Sequence, residues 1–428
     1  MKISGNKLKF VAKIFGFLLG FSALGFLLIA VSYTLPRGGI TKHIAESSSA
    51  YLDDARWAPT LPATWNDRFS DSLILGTVAY DKGNSIEKAA LAAHDEMPGL
   101  SPMESLDYFT AGEGNTDEAV SIDYARYWHG YLVFLAPLLE FFNPSEIIVL
   151  NFIVQLLLII VLIVVAYRRY GLKLAAALMV FIFSLNPLTV ALNFQYSAVF
   201  YPTIVALLLI LLFHGWLQEK NRYWYFFLSL GCVTVYLDLL TYPLVSLGAP
   251  LALVFYLCRY DIKKARDLLP PLRTGVLAGA CWALGYIGTW ALKWGISSLV
   301  LGRDMFSPAI HQILYRSGND FGHLETIRLN FVDMFNLPMV FVLSLLAVAV
   351  VALLIAKKLR FTWHKWSLLP YLVLAAMPFV WYYVVANHSF VHHWFTYRVL
   401  SIAVFAAALA VAGSFTRFKR SIKKGAKK

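Results

Sequence analysis

Apolar runs of about twenty residues recur along this chain, separated by short polar breaks. Each is long enough to cross a hydrocarbon core of roughly 30 Å. The first covers residues 14–33. Its end, Ser32-Tyr33-Thr34-Leu35-Pro36, lacks a small-x-small cleavage pattern, so it reads as a retained span and not as a signal peptide. After Asn143-Pro144-Ser145-Glu146 the runs follow regularly, near 147–167, 172–192, 201–217, 223–241, 243–259, 274–295, 335–356, 367–386 and 396–414. The pattern predicts an all-α polytopic membrane protein of about ten transmembrane helices, with both termini on one side. Residues 131–142, interrupted by Pro137, are too short to cross. They predict an interfacial helix, entered from the aromatic cluster Tyr124, Tyr127, Trp128 and Tyr131.

Charge fixes the expected orientation. Residues 36–130 hold 15 of the 25 acidic residues and 7 of the 37 Lys/Arg, a net −8, which leaves +20 for the remainder of the +12 chain. With a cytoplasmic N-terminus, 25 Lys/Arg fall on the cytoplasmic side and 12 on the outer side, as the positive-inside rule requires. This segregation argues against nucleic-acid binding and for a plasma-membrane location with cytoplasmic termini. The expected organisation is a cytoplasmic N-terminus and first span (1–34), a large extracytoplasmic loop with its interfacial helix (35–146), a nine-helix bundle (147–414) and a basic tail (415–428). The tail suits solvent or anionic lipid. Cys232, Cys258 and Cys281 lie in or beside apolar spans without CxxC spacing, which suggests buried small side chains and neither a disulfide framework nor a zinc site.

Four constellations bear chemistry. Asn66-Asp67-Arg68-Phe69-Ser70-Asp71, in the outer loop, sets Asp67 and Asp71 four apart on one face of a short helix, suited to general-base work on a hydroxyl or to simple helix capping. Tyr124-Ala125-Arg126-Tyr127-Trp128-His129-Gly130-Tyr131 sets Arg126 and His129 among aromatics at the membrane junction, as phosphate or sugar ligands or as an aromatic belt. Asn387-His388-Ser389-Phe390-Val391-His392-His393-Trp394-Phe395-Thr396-Tyr397-Arg398 places three histidines and an arginine at the outer mouth of two spans. A phosphate-binding mouth of His388, His392 and Arg398 fits it better than a metal site, since no carboxylate is close in sequence. Arg398, just inside a span, is expected to meet a lipid phosphate or an acid such as Asp238. Asp238, in Tyr236-Leu237-Asp238, is an intramembrane acid near an outer span end, suited to positioning Arg398 or a bound hydroxyl. Asn193, Gln195 and Tyr196 add polar groups at another. Lys293 and His214 read as snorkelling residues. No phosphate-cradling Gly-rich loop, Walker motif or nucleophile elbow is present, so any donor is expected to be lipid-borne and used on the outer face.

This arrangement resembles the GT-C membrane glycosyltransferases, which take a sugar from a polyprenyl-phosphate carrier. Asp67 and Asp71 in the first outer loop, the interfacial segment 131–142 and the basic turn Arg168-Arg169-Tyr170-Gly171 stand where that family has its acidic motif, its interfacial helices and a basic cytoplasmic turn. More narrowly, residues 124–131 and 387–398 look like segments of bacterial cell-wall polysaccharide glycosyltransferases of this class. The resemblance implies a polyprenyl-phosphate-linked sugar donor and a polysaccharide or glycolipid acceptor. It implies Asp67 as base and a donor phosphate near Arg126 and Arg398, with His129, His388 or His392 near it. Asp238, Gln195, Tyr196, Tyr127 and Trp128 would be substrate contacts. The family often has adjacent acids, whereas this chain has Asp-x-x-x-Asp, which leaves the choice of base between Asp67 and Asp71 open. No cofactor is implied for certain, and a divalent cation stays open. The competing reading is a lipid-linked-sugar flippase or transporter of cell-wall precursors, disfavoured by the lack of paired broken spans and by the size of the outer loop. A polymerase or ligase with its large loop later in the chain, or a membrane scaffold, are further alternatives.

Overall fold

The computed structural model describes residues 5–51, 55–56, 63–110, 118–258, 260, 262–335, 337–356, 359–361 and 365–417. Most of the expected basic tail, 418–428, lies outside them. The first helix is α1 (Gly5–Ser32). The acidic segment folds as α2 (Arg37–Ala45), α3 (Arg68–Ala79), α4 (Ser85–Leu91), α5 (Pro102–Thr110) and α6 (Leu132–Leu139). The chain continues with α7 (Pro144–Tyr170), α8 (Leu172–Ser184), α9 (Pro187–Ala191), α10 (Phe194–Gln218), α11 (Arg222–Leu237), α12 (Leu244–Cys258) and α13 (Leu269–Leu301). It ends with α14 (Phe306–Arg316), α15 (His323–Met334), α16 (Leu337–Ile355), α17 (Leu369–Val384), α18 (Ala386–Val391), α19 (His393–Thr396) and α20 (Ser401–Ser414). Short antiparallel strand pairs join Ala55–Arg56 to Trp65–Asn66, His94–Glu96 to Val120–Ile122, and Leu359–Phe361 to Phe415–Arg417.

Helix starts follow local chemistry. Asn143 and Glu146 form a reciprocal capping box with Pro144 in the first turn of α7, and Asn84 and Glu87 do the same for α4. Each expected span contains a helix, but not each is long enough to cross. Six helical stretches are long and apolar enough among the described residues, or seven if the bent pair His323–Met334 and Met339–Ala352 is one span. One of the six, Phe194–Leu237, is α10 and α11 together, 44 residues. Lys220 and Asn221 turn left-handed between them, and the Tyr242 hydroxyl donates to the Tyr196 carbonyl. The end of α11 therefore returns to the start of α10, and the stretch is an antiparallel pair. Helices α8 and α12 have 13 and 15 residues, about 20 and 23 Å at 1.5 Å per residue. The apolar run continues past α8, but Asn186-Pro187 breaks the helical ladder, whereas α12 fills nearly all of its run.

Helix α12 is buried on every side, from Val245 to Phe255, as expected of a helix apolar all round. It packs against α10, α17 and α20. Helices α11 and α13 approach closely enough for reciprocal glycine contacts. A Cβ on Gly231 would stand 2.1 Å from the Trp282 carbonyl oxygen, and one on Gly285 would stand 2.1 Å from that of Leu228. Small residues at such crossings let backbones touch in an apolar medium. The interfacial helix expected at 131–142 is the shorter α6. It buries Leu132, Leu135, Ala136 and Leu139 and leaves Phe134 exposed, as are Phe141 and Phe142 just beyond its end.

One expectation needs correction. Lys293 does not snorkel. It is fully buried, and its Nζ donates to the carbonyls of Ala89 at 2.7 Å and Ala90 at 3.0 Å, at the end of α4. The four terminal carbonyls of a helix lack internal partners, and a buried ammonium meets that need. His214, half-buried, has its Nδ1 2.7 Å from the Tyr223 hydroxyl. The three cysteines are free, with Cys232 buried and the other two partly so.

Candidate functional site

Helix α3 is pinned to the corner between α9 and α10 by its two aspartates. Asp67 is the N-cap: its Oδ1 accepts from Ser70 N at 2.9 Å. Its own N–H donates to Asn193 Oδ1 at 2.8 Å, and Asn193 is held in turn by donating to the Thr189 carbonyl. Asp71, one turn on, is fully buried. Its carboxylate accepts from Phe194 N at 3.2 Å and Gln195 N at 3.1 Å, the first amides of α10. A carboxylate there satisfies orphan amides and the positive end of the helix dipole. Burial dominates and pushes the Asp71 carboxyl up to about 7, against the opposing pull of Arg68 and the two amides.

Asp67 faces a cavity of about 520 Å³, within the range of small-ligand sites. Its lining joins three distant parts of the chain. The loop segment contributes Asp67, Phe69, Ser70, Leu73, His94, Glu96, Ile122, Tyr124 and Arg126. The bundle contributes Gln195 and Leu239. The late segments contribute Arg316, His388, His392, Trp394 and Phe395. Across it, Trp394 Nε1 donates to Asp67 Oδ2 at 3.3 Å.

The cations are oriented by neutral partners. The Arg126 guanidinium lies over Tyr124 at 4.3 Å and near the Tyr127 ring at 5.5 Å, while its carbonyl accepts from the Trp290 and Trp294 indoles. Arg316 Nη1 donates to His388 Nδ1. That imidazole must then carry its proton on Nε2, which donates to the Leu240 carbonyl at 2.7 Å. Burial and the Arg316 charge hold His388 well below its ordinary value, and the same causes hold His392 down to about 3. His94 lies 3.0 Å from Glu96 through Nε2 and is also lowered by burial, against the raising pull of Glu96. Both guanidinium charges act on the Tyr124 hydroxyl. Among the described residues, neither Arg126 nor Arg316 has an acid partner. Four buried polar atoms of lining residues also lack hydrogen-bond partners: His94 Nδ1, Arg126 Nε, Gln195 Oε1 and His392 Nδ1. No group of three or more His, Cys, Asp or Glu side chains is gathered as a metal site among the described residues.

Asp67, Arg126, Gln195, His388 and His392, all anticipated from sequence, thus meet at one cavity. The other anticipated residues stand behind its wall. Arg398 is fully buried. It donates through Nε to the Leu185 carbonyl at 2.9 Å and through Nη1 to the Trp394 carbonyl at 3.3 Å, with Tyr196 4.5 Å from its guanidinium. It is not paired with Asp238. Asp238 Oδ1 instead accepts from Thr241 N at 2.9 Å and from the Thr241 hydroxyl. That turn holds Leu240 at φ +67, with its carbonyl toward His388. His129, at φ +59, meets the Tyr131 hydroxyl and the Tyr124 carbonyl, and burial pushes it down to about 3. Tyr127 stacks on Trp290 and the Trp128 indole donates to the Thr289 carbonyl. Tyr196 is buried against Phe395. Sequence reasoning did not single out Arg316, His94 or Glu96 as site residues. His94-Asp95-Glu96 is a visible titratable run, whereas Arg316 carries no motif. No protein-family model, curated protein or solved structure matches this chain.

Proposed function

We propose that this protein is a membrane glycosyltransferase of the GT-C kind, moving a sugar from a polyprenyl-phosphate carrier to a polysaccharide or glycolipid acceptor of the cell envelope. One observation carries the reading: Asp67 and the acid-free Arg126 line the same cavity as the four unpartnered polar atoms. A carboxylate, a cation and spare hydrogen-bonding atoms beside aromatic rings suit a ligand with hydroxyls and a phosphate. Asp67 would accept the proton of an acceptor hydroxyl as its oxygen attacks the anomeric carbon. The bond from that carbon to the phosphate oxygen breaks, the lipid phosphate leaves, and Arg126 offsets its growing charge. A single displacement inverts the anomeric centre. In this reading the chain spans the plasma membrane ten times, with both termini cytoplasmic and the cavity on the outer face.

The test is transfer by the full chain in proteoliposomes carrying a radiolabelled polyprenyl-phosphate sugar and an oligosaccharide acceptor. Asp67→Asn is expected to lower turnover by about 10²-fold or more and to keep the fold, because asparagine also caps helices. Lipid translocation without cleavage of the sugar–phosphate bond, or undiminished transfer by the variant, would sink the proposal.

A further inference from the structure

We infer that Arg316 is a phosphate-binding residue of this cavity, and that Asn387 and His388 form the latch that positions it. The inference deepens the sugar-transfer reading by adding a second cation, although its test does not depend on transfer.

Residues 303–321, between Gly302 and Gly322, form a strap that leaves α13 and enters α15. Both glycines have positive φ, +65 and +82, where the chain changes direction. Helix α14 occupies the strap, with Ile310 and Leu314 exposed. Arg316 is its last residue and reaches the cavity.

Asn387 fastens the turn after α14. Its Nδ2 donates to the Tyr315 carbonyl at 2.9 Å and to Asp320 Oδ2 at 2.7 Å. Its Oδ1 accepts from Asp320 N at 2.9 Å, and its own N–H donates to the Gly318 carbonyl at 3.1 Å. A Cβ on Gly318 would come within 2.5 Å of Asn387 Nδ2, so a side chain there would displace the Asn387 amide. The next residue, His388, takes Arg316 itself.

The choice of partner is informative. A carboxylate at position 388 would orient the guanidinium and also neutralise it. A neutral imidazole accepts the hydrogen bond and leaves the positive charge intact. Arg126 is treated alike, held by aromatic faces. Two arginines oriented without loss of charge, in one partly buried cavity, match the planar donor demands of a phosphate ester. Its source would be a lipid headgroup or a water-soluble phosphate.

The experiment measures binding by the purified full chain in nanodiscs of zwitterionic phosphatidylcholine. One arm incorporates a polyprenyl monophosphate, and the other adds inorganic pyrophosphate. Arg316→Ala is expected to weaken binding about tenfold or more, Arg316→Lys less so, and the exposed control Arg328→Ala not at all. His388→Ala and Asn387→Ala are expected to weaken binding in the wild-type background and to add nothing to Arg316→Ala, the non-additivity of positioning residues. Binding confined to the lipid arm supports the inference with a lipid headgroup as ligand. Equal Arg316 dependence with pyrophosphate supports it with a soluble phosphate. No binding by wild type in either arm, or wild-type affinity in a folded Arg316→Ala, overturns it. Additive losses for His388→Ala overturn the latch. Arg316-dependent binding in a protein that transfers no sugar would dismiss the glycosyltransferase reading alone.

Discussion

The Trp394 indole and the Asp67 carboxylate meet at 3.3 Å, joining residues 327 positions apart in the chain. The bond gives Asp67 Oδ2 a donor while Oδ1 is engaged by the start of α3. The carboxylate is therefore held on both oxygens, with its orientation toward the cavity set by a residue of the late segment. Trp394 is in turn placed by Arg398, which grips its carbonyl. The acidic and basic segments form one construction, in which the buried arginine acts through a neighbour.

Removing the Asp67 charge separates chemistry from capping. Asp67→Asn keeps the cap through its one oxygen and loses the long bond from Trp394 Nε1, so the melting temperature is expected to fall by a few degrees at most. Transfer is expected to fall by about 10²-fold or more, the scale of general-base loss. Thermal unfolding in detergent alongside radiolabel transfer checks both halves.

Asp71 should leave a pH signature. Its carboxyl has an ordinary value of 3.8 and sits near 7 in the fold. Between those values the native state binds more protons than the unfolded chain, so this group's contribution is full below about pH 4 and is lost as pH rises toward 7. The stability of wild type minus that of Asp71→Asn is therefore expected to decline from pH 4.5 to pH 7.5. Melting curves of both proteins across that range measure it, and a flat difference would show an Asp71 that titrates ordinarily.

Lys293→Met keeps the apolar stem and deletes the donor. The Ala89 carbonyl then loses its buried side-chain partner, at a cost of about 2 kcal/mol. Expected results are a lower melting temperature and a reduced monodisperse yield. Equal stability would mean that the end of α4 finds another donor.

Arg398→Lys retains the charge but not the planar fork that spans the carbonyls of Leu185 and Trp394. Stability is expected to fall by about 1–3 kcal/mol. With Trp394 loosened, kcat should drop more than KM rises, and affinity for polyprenyl phosphate should change little. A selective loss of phosphate affinity would instead make Arg398 a ligand.

Much of the site is legible because its residues are polar groups set among aromatics between the apolar runs. Asp67, Arg126, His388 and His392 stand out in such surroundings, and they do share a cavity. Arg398 stood out too, but as a charge inside an apolar run. Its partners are backbone carbonyls exposed where helices break, near Leu185 and Trp394, and no residue pattern marks where those carbonyls point. Lys293 was misread for the same reason: the end of α4 that it caps lies some two hundred positions earlier. Arg316 belongs to no sequence motif, because its role comes from His388, 72 positions away. The helical pattern itself is plain, whereas hydropathy alone runs across the break at Asn186-Pro187.

The touching glycines of α11 and α13 have a mechanical consequence. Sliding either helix by one residue would drive a side chain into a carbonyl that now stands 2.1 Å from where a Cβ would be. The pair is thus a rigid strut, barred from shear. Leu239, which lines the cavity two residues beyond α11, therefore sits at the end of a fixed pair.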